Sequence, residues 1–235
     1  MAKIRMQLKI YKSIILLVFL IFCLSQPVRS QQNLPYADDK LLHFGFSLGV
    51  NTMDFGVRTS SDSVGARVST LSPGFSVGII SNLRLSRYFN FRFTPTLHFG
   101  QRQLNYFPKL KADSVLITSI PISLPVYIKY SAERKGNFRP YLIAGGGMSI
   151  DLATNKENPV LLRPVNLFAE FGVGCDIYFL FFKLAPELKY SIGFNDIFVP
   201  LNERESGQVP TSKQRFSNSL NKLTSKMFTL TFNFE

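Results

Sequence analysis

Side chains able to do chemistry are few in this sequence, and their types narrow the reactions open to it. The 235 residues include two His, His43 and His98, and two Cys, Cys23 and Cys175. Acyl transfer or deacylation needs an imidazole with a hydroxyl or acid partner. His98 lies between Thr96 and Gly100 on one face of an alternating segment, with no Ser-His-acid spacing nearby. His43 opens the first such segment. Both read as hydrogen-bonded structural residues, and no catalytic residue is assigned. No Cys/His cluster has the spacing of a zinc site. Gly145-Gly146-Gly147 is followed by neither Lys-Ser/Thr nor a helix, so it reads as a close-packed or bent strand and not a phosphate loop. No metal or cofactor is implied.

The remaining chemistry is charge. Seven side chains stand out because they fall within alternating segments on the polar positions: Arg84, Arg92, Lys129 and Lys189 against Glu170, Asp176 and Glu187. What they do depends on which way those positions point, and that is set by the elements that carry them.

The formal charge of +12 invites a nucleic-acid reading, but its placement removes that reading. Lys3, Arg5, Lys9 and Lys12 precede an unbroken apolar run at 14–24, and Val28-Arg29-Ser30 precedes a possible cut ahead of Gln31. This is the pattern of a cleaved export signal over 1–30, too short in its apolar part to span a bilayer. With Arg29, five positive charges leave with it, and +7 remains. The mature chain keeps Cys175 alone, so it has no intramolecular disulfide. A short lead-in covers 31–41, and residues 42–235 form the body. No later segment is apolar for long enough to cross a membrane as a helix.

That body alternates with period two. At 89–100, Phe89, Phe91, Phe93, Pro95, Leu97 and Phe99 interleave with Asn90, Arg92, Thr94, Thr96, His98 and Gly100. Seven further segments behave alike, at 42–57, 73–85, 115–130, 140–153, 165–179, 181–194 and 224–235. Short connections at 86–88, 131–139 and near 180 alternate with long ones at 58–71, 104–114, 154–164 and 195–222. The expected fold is all-β: an eight-stranded antiparallel up-and-down transmembrane β-barrel of the outer membrane, with short turns on the periplasmic side.

A secreted lipocalin-like barrel would show the same period with apolar residues inside. Charges at mid-strand, many glycines on the polar face and aromatic residues towards strand ends favour apolar-out. Pro95, Pro121, Pro125 and Pro186 count against a continuous ladder. An eight-stranded lumen is only wide enough for its side chains to fill. The seven charges are therefore expected to pair inside as a structural plug. In the first strand the phase changes near Thr52, which predicts a bulge with Asn51 and Asp54 forming a partner-binding notch. The 195–222 connection, with Arg204, Lys213, Arg215 and Lys222 against Asp196, Glu203 and Glu205, could meet anionic lipopolysaccharide or an acidic partner.

The segment HFGFSLGVNTMDF at 43–55 resembles the opening of the PorT (SprT) family of Bacteroidetes outer-membrane proteins. The resemblance continues through PGFSVGIISNLRLSRYFNFRFTP at 73–95, FGQR at 99–102, RPYLIAGG at 139–146 and FGVGCDIYFLFFKLAPELKYSIGF at 171–194. It implies an envelope component of the type IX secretion system and of gliding motility, with outer-membrane lipid and other secretion components as partners. The family brings no agreed catalytic or ligand residues, so none is carried over. A lipid-A-modifying or envelope-stabilising barrel is the competing reading. Oligomeric state is not assigned.

Overall fold

The computed structural model describes residues 33–59, 65–68, 72–107, 113–153, 161–200, 203 and 220–235. The expected export segment at 1–30 lies outside the described residues. Eight long strands make up the body: β1 (Leu42–Thr59), β2 (Pro73–Arg84), β3 (Phe89–Phe93 and Thr96–Phe107), β4 (Asp113–Ser119 and Pro121–Ser131), β5 (Phe138–Asp151), β6 (Val165–Tyr178), β7 (Lys183–Gly193) and β8 (Leu220–Phe234). Each pairs antiparallel with the next, and β8 returns to pair with β1 from Phe46↔Phe234 up to Thr59↔Leu220. Among the described residues the eight strands therefore close into an up-and-down barrel.

Three short turns, at 85–88, 132–137 and 179–182, lie at the same end as the start of β1 and the finish of β8. We call this the turn end, and the opposite one the loop end. In the 132–137 turn Gly136 adopts φ +62, a left-handed conformation that costs a glycine little. At the loop end, Gly65–Val68 adds to β3, and Leu161–Leu162 pairs with Phe198–Val199. The backbone N–H groups of Phe198 and Leu223 both donate to Asp196 Oδ1, at 3.0 and 3.1 Å, which ties this second pair to β8.

The alternation points apolar side chains outward. Phe44, Phe46, Leu48 and Val50 on β1 are exposed, as are Phe75, Val77 and Ile79 on β2 and Phe89, Phe91 and Phe93 on β3. Neighbouring strands bring outward rings together: Phe46 on Phe234 at 4.9 Å, Phe75 on Phe99 at 4.5 Å, and Phe89 beside Tyr130 at 5.1 Å. Inward positions are polar and buried, among them Ser47, Asn82, Arg92, Thr96, Glu170 and Thr229.

Pro121 pairs in register with Asp151, and Pro95, Pro125 and Pro186 are accommodated by short gaps that leave the register intact. Phe93 pairs with Val126 and Thr96 with Ser123, so Thr94 and Pro95 skip two rungs opposite Leu124 and Pro125. The Pro95 carbonyl still accepts from the Ile79 N–H at 3.0 Å, and the Pro125 carbonyl from the Thr94 N–H at 3.3 Å. Pro186 sits in a similar gap, between the β6–β7 pairs Gly174↔Glu187 and Ile177↔Leu184.

The bulge expected near Thr52 is absent. The register against β8 runs unbroken from Phe46 to Arg58 and shifts only between Arg58 and Thr59. Asn51, Met53 and Phe55 all point inward and are buried, while Asp54 points outward. Asn51 and Asp54 thus lie on opposite faces of one regular strand and cannot form a single notch. What changes at Thr52 is the surroundings of the two faces.

Candidate functional site

The turn-end half of the lumen gathers ionisable side chains from β3 to β7 and from Glu235, just after β8. Arg92 on β3 spans two carboxylates, donating from Nη1 to Glu187 Oε2 at 3.0 Å and from Nη2 to Glu235 Oε1 at 2.8 Å. Lys183 reaches Glu235 Oε2 at 2.6 Å, and Lys129 holds both Asp176 oxygens at 2.7 and 2.8 Å. Lys189 lies 3.3 Å from Glu170 and 3.5 Å from Glu187. Tyr127 donates to Glu170 and Tyr141 to Glu187, each at 2.7 Å. The Lys129 ammonium also sits 3.7 Å from the centre of the Tyr141 ring.

Four cations therefore face four carboxylates, and all eight side chains are almost wholly shielded from solvent. Charges held there are stable only because each is paired and hydrogen-bonded. Glycine makes the room. A Cβ on Gly174 would lie 2.4 Å from the Tyr141 ring, so a larger residue on β6 would displace the hydroxyl that binds Glu187. The Gly145-Gly146-Gly147 run does similar work on β5: a Cβ on Gly145 would come within 2.0 Å of the Val126 carbonyl. This is close strand packing.

Of the seven charges singled out in the sequence, the structure brings Arg92, Lys129, Glu170, Asp176, Glu187 and Lys189 together. Arg84 is the correction. It has the inward parity of β2 but is that strand's last residue, beyond the lumen, and it pairs at the rim with Asp39 at 3.0 Å. Lys183 and Glu235 complete the network; Lys183 was legible from parity, as the next inward position beside Ala185, whereas Glu235 follows the last aromatic residue of β8. Tyr127 and Tyr141 also stood on polar positions, but nothing in the sequence marks a tyrosine as a carboxylate's partner.

The lead-in lies across the turn end. Arg134 donates to the Leu34 carbonyl at 3.1 Å and to the Asn33 carbonyl, and Asn33 N–H donates to Asn137 at 2.9 Å. Asp38 accepts from the Tyr178 hydroxyl at 2.6 Å and lies 3.3 Å from Arg139. A small polar mouth remains there, lined by Asp38, Asn82, Arg84, Arg139 and Lys183 among others.

The loop-end half of the lumen is different. Met53 and Phe55 on β1, Ile117 on β4, and Leu223 and Met227 on β8 are inward and buried, with Ile197 and Phe198 from the 195–199 segment. Arg102 enters this half with its guanidinium 4.7 Å over the Phe55 ring and donates to Ser225 Oγ at 3.1 Å.

The two imidazoles sit on different strands, His98 on β3 and His43 on β1. His98 is buried, and across the β2–β3 ladder stands Ser76, whose buried Oγ has no hydrogen-bond partner among the described residues. His43 stands beside Asn82 near the rim. In the 195–222 connection, Glu203 pairs with Arg163 at 2.9 Å, whereas Arg204, Glu205, Lys213 and Arg215 lie outside the described residues.

A family profile described as outer membrane protein beta-barrel domain matches residues 25–199. Among solved structures, the fold is similar to the crystal structure of Neisserial surface protein A (NspA), at 10% identity and a TM-score of 0.43, covering 83% of this chain and 98% of that one. No curated protein sequence matches the chain.

Proposed function

We infer the function from one premise: the chain belongs to the outer membrane protein β-barrel domain family. It is a non-enzymatic component of the outer membrane that serves type IX protein secretion and, with it, gliding motility. The observation that carries this reading is the filled lumen. Four buried cations matched by four buried carboxylates leave the turn-end half without a net charge to select an ion and without an open path for a chain. An eight-stranded barrel built this way holds a place beside a conduit and does not form one.

The secretion role rests on the resemblance of 43–55, 73–95, 99–102, 139–146 and 171–194 to the PorT family. A non-enzymatic role is supported by the burial of His98 inside the barrel, with Ser76 opposite it making no hydrogen bond among the described residues. With the turn end towards the periplasm, the loop end offers Asp54 to a partner secretion component, on the outer face of β1 above the apolar band. Asn51, wholly buried, is withdrawn from that role.

Deleting the gene in its host tests the reading. Type IX cargo is expected to stay inside the cell with lipid A unchanged. Normal cargo secretion accompanied by altered lipid A would replace it with the lipid-modifying alternative. Substituting Asp54 by Ala, with the barrel at normal level, is expected to lower cargo secretion. Unchanged secretion would remove Asp54 as the contact.

A further inference from the structure

The three turns at the turn end differ in chemistry. In the 85–88 and 132–137 turns, Arg87 and Glu133 form an ion pair at 3.0 Å with both side chains well exposed, and Tyr88 donates to the same carboxylate at 3.1 Å. The third turn, 179–182, reads Phe-Leu-Phe-Phe. All four residues are exposed, Phe181 at 91%, and the turn is closed by the Phe179 N–H donating to the Phe182 carbonyl at 3.0 Å. Nothing in tight-turn geometry asks for four apolar residues, since turns favour Gly, Asn, Asp and Pro. Exposed apolar surface of this kind marks a partner that is itself apolar.

The packing identifies that partner. Phe179 stacks on Phe182 at 5.0 Å, Phe182 leans on Phe234 at 6.2 Å, and Phe234 stacks on Phe46 at 4.9 Å. The rings run without interruption from the tip of the turn into the outward band of β8 and β1. In an outer-membrane barrel that band faces lipid, so the turn continues an interface already present. Its position in the ring sharpens the contrast. The 85–88 turn joins β2 to β3 and the 179–182 turn joins β6 to β7, four strands further round an eight-stranded ring. One side of the turn end is charged and the opposite side is aromatic.

We propose that the 179–182 turn is seated in the leaflet at the turn end, with Phe181 among the lipids, while the Arg87–Glu133 side stands in water. Aromatic side chains favour this depth, where ring and headgroup meet. The turn then fixes which side of the barrel is anchored low in the membrane. It leaves the charged turns as the surface on which a water-soluble partner could dock.

The absence of Trp from the sequence makes the test clean, because one introduced indole is the only one in the protein. Full-length Phe181→Trp, with Leu180→Trp as a second variant and Tyr88→Trp as the comparison, would be placed in phospholipid vesicles with and without brominated lipid. The expected result is blue-shifted emission from the two 179–182 turn variants, lost mostly to brominated lipid and little to acrylamide, with Tyr88→Trp behaving in the opposite way. Red-shifted emission at 180 and 181, quenched by acrylamide as strongly as at 88, would overturn the proposal by placing the turn in water. Emission in native outer membranes that neither quencher reaches would also overturn it, by showing a protein over the turn.

Discussion

On β1 the outward residues run Phe44, Phe46, Leu48 and Val50, then Thr52, Asp54 and Gly56, while the inward ones run Ser47, Gly49 and Asn51, then Met53 and Phe55. On β8 the same crossing occurs: Phe234, Phe232, Leu230 and Phe228 outward give way to Lys226 and Thr224, and Asn233, Thr231 and Thr229 inward give way to Met227, Ser225 and Leu223. The backbone is regular through the crossing, with Thr52↔Phe228 and Asp54↔Lys226 in register. Along β1 and β8 the two ends thus obey period two with opposite sign. Where lipid lies outside, the apolar face turns out and the lumen carries ions. Where the strands rise beyond it, the outside is polar and the lumen closes with an apolar core, as in a soluble barrel. The lesson is that a phase change in a hydrophobic pattern can record a change of solvent with no change of chain geometry.

Substitutions that exchange the two regimes should expose this difference, beginning with the ionic half. Replacing Arg92 by Leu leaves Glu187 and Glu235 with one buried cation fewer, and breaking such a network costs about 3–5 kcal/mol. Urea unfolding in lipid vesicles, followed by heat-modifiable gel migration, should show a large drop in midpoint. Arg92→Lys should fall between, since an ammonium keeps the charge but not the two-pronged geometry. An unmoved midpoint for Arg92→Leu would mean that this half is hydrated and open.

In the loop-end half, Phe55→Ala removes a buried ring and the surface on which Arg102 rests. A loss of about 3 kcal/mol is expected in the same assay, at the low end for such a truncation. A neutral result would argue against an apolar closure. The outward face should respond by position: Leu48→Lys is expected to cost about 2–4 kcal/mol and Asp54→Lys about 0–1, following the depth dependence of lipid-facing cations. Equal costs at the two sites would remove the boundary drawn between Val50 and Thr52.

The eight strands and their polarity were legible because 89–100 and its counterparts alternate without ambiguity. The candidate site was legible in parts. Arg92, Lys129 and Glu187 follow from parity alone, but parity does not report how far along the lumen a residue sits, which is why Arg84 belongs to the rim. Glu235 was hidden by lying one residue past the last aromatic, although it accepts from Arg92 as Glu187 does. Pro95 and Pro186 looked like breaks and prove to be gaps of two rungs, because neighbouring pairs hold the register on both sides. Met53 and Phe55 were misread as a bulge because an apolar residue on a changed phase has two explanations, a shifted backbone or a shifted solvent. Only the pairing with β8 separates them.

That separation can be measured directly. In a background with both Cys23 and Cys175 replaced by Ala, single cysteines at Phe46, Leu48, Val50, Thr52 and Asp54 would be placed in the barrel in lipid nanodiscs, which leave both ends open to water. A water-soluble maleimide should label positions 52 and 54 readily and positions 46, 48 and 50 hardly at all, with inward controls at Asn51 and Met53 unlabelled. Labelling that favours 51 and 53 over 52 and 54 would contradict the account, because it would show a strand that slips at Thr52 instead of one that leaves the lipid there.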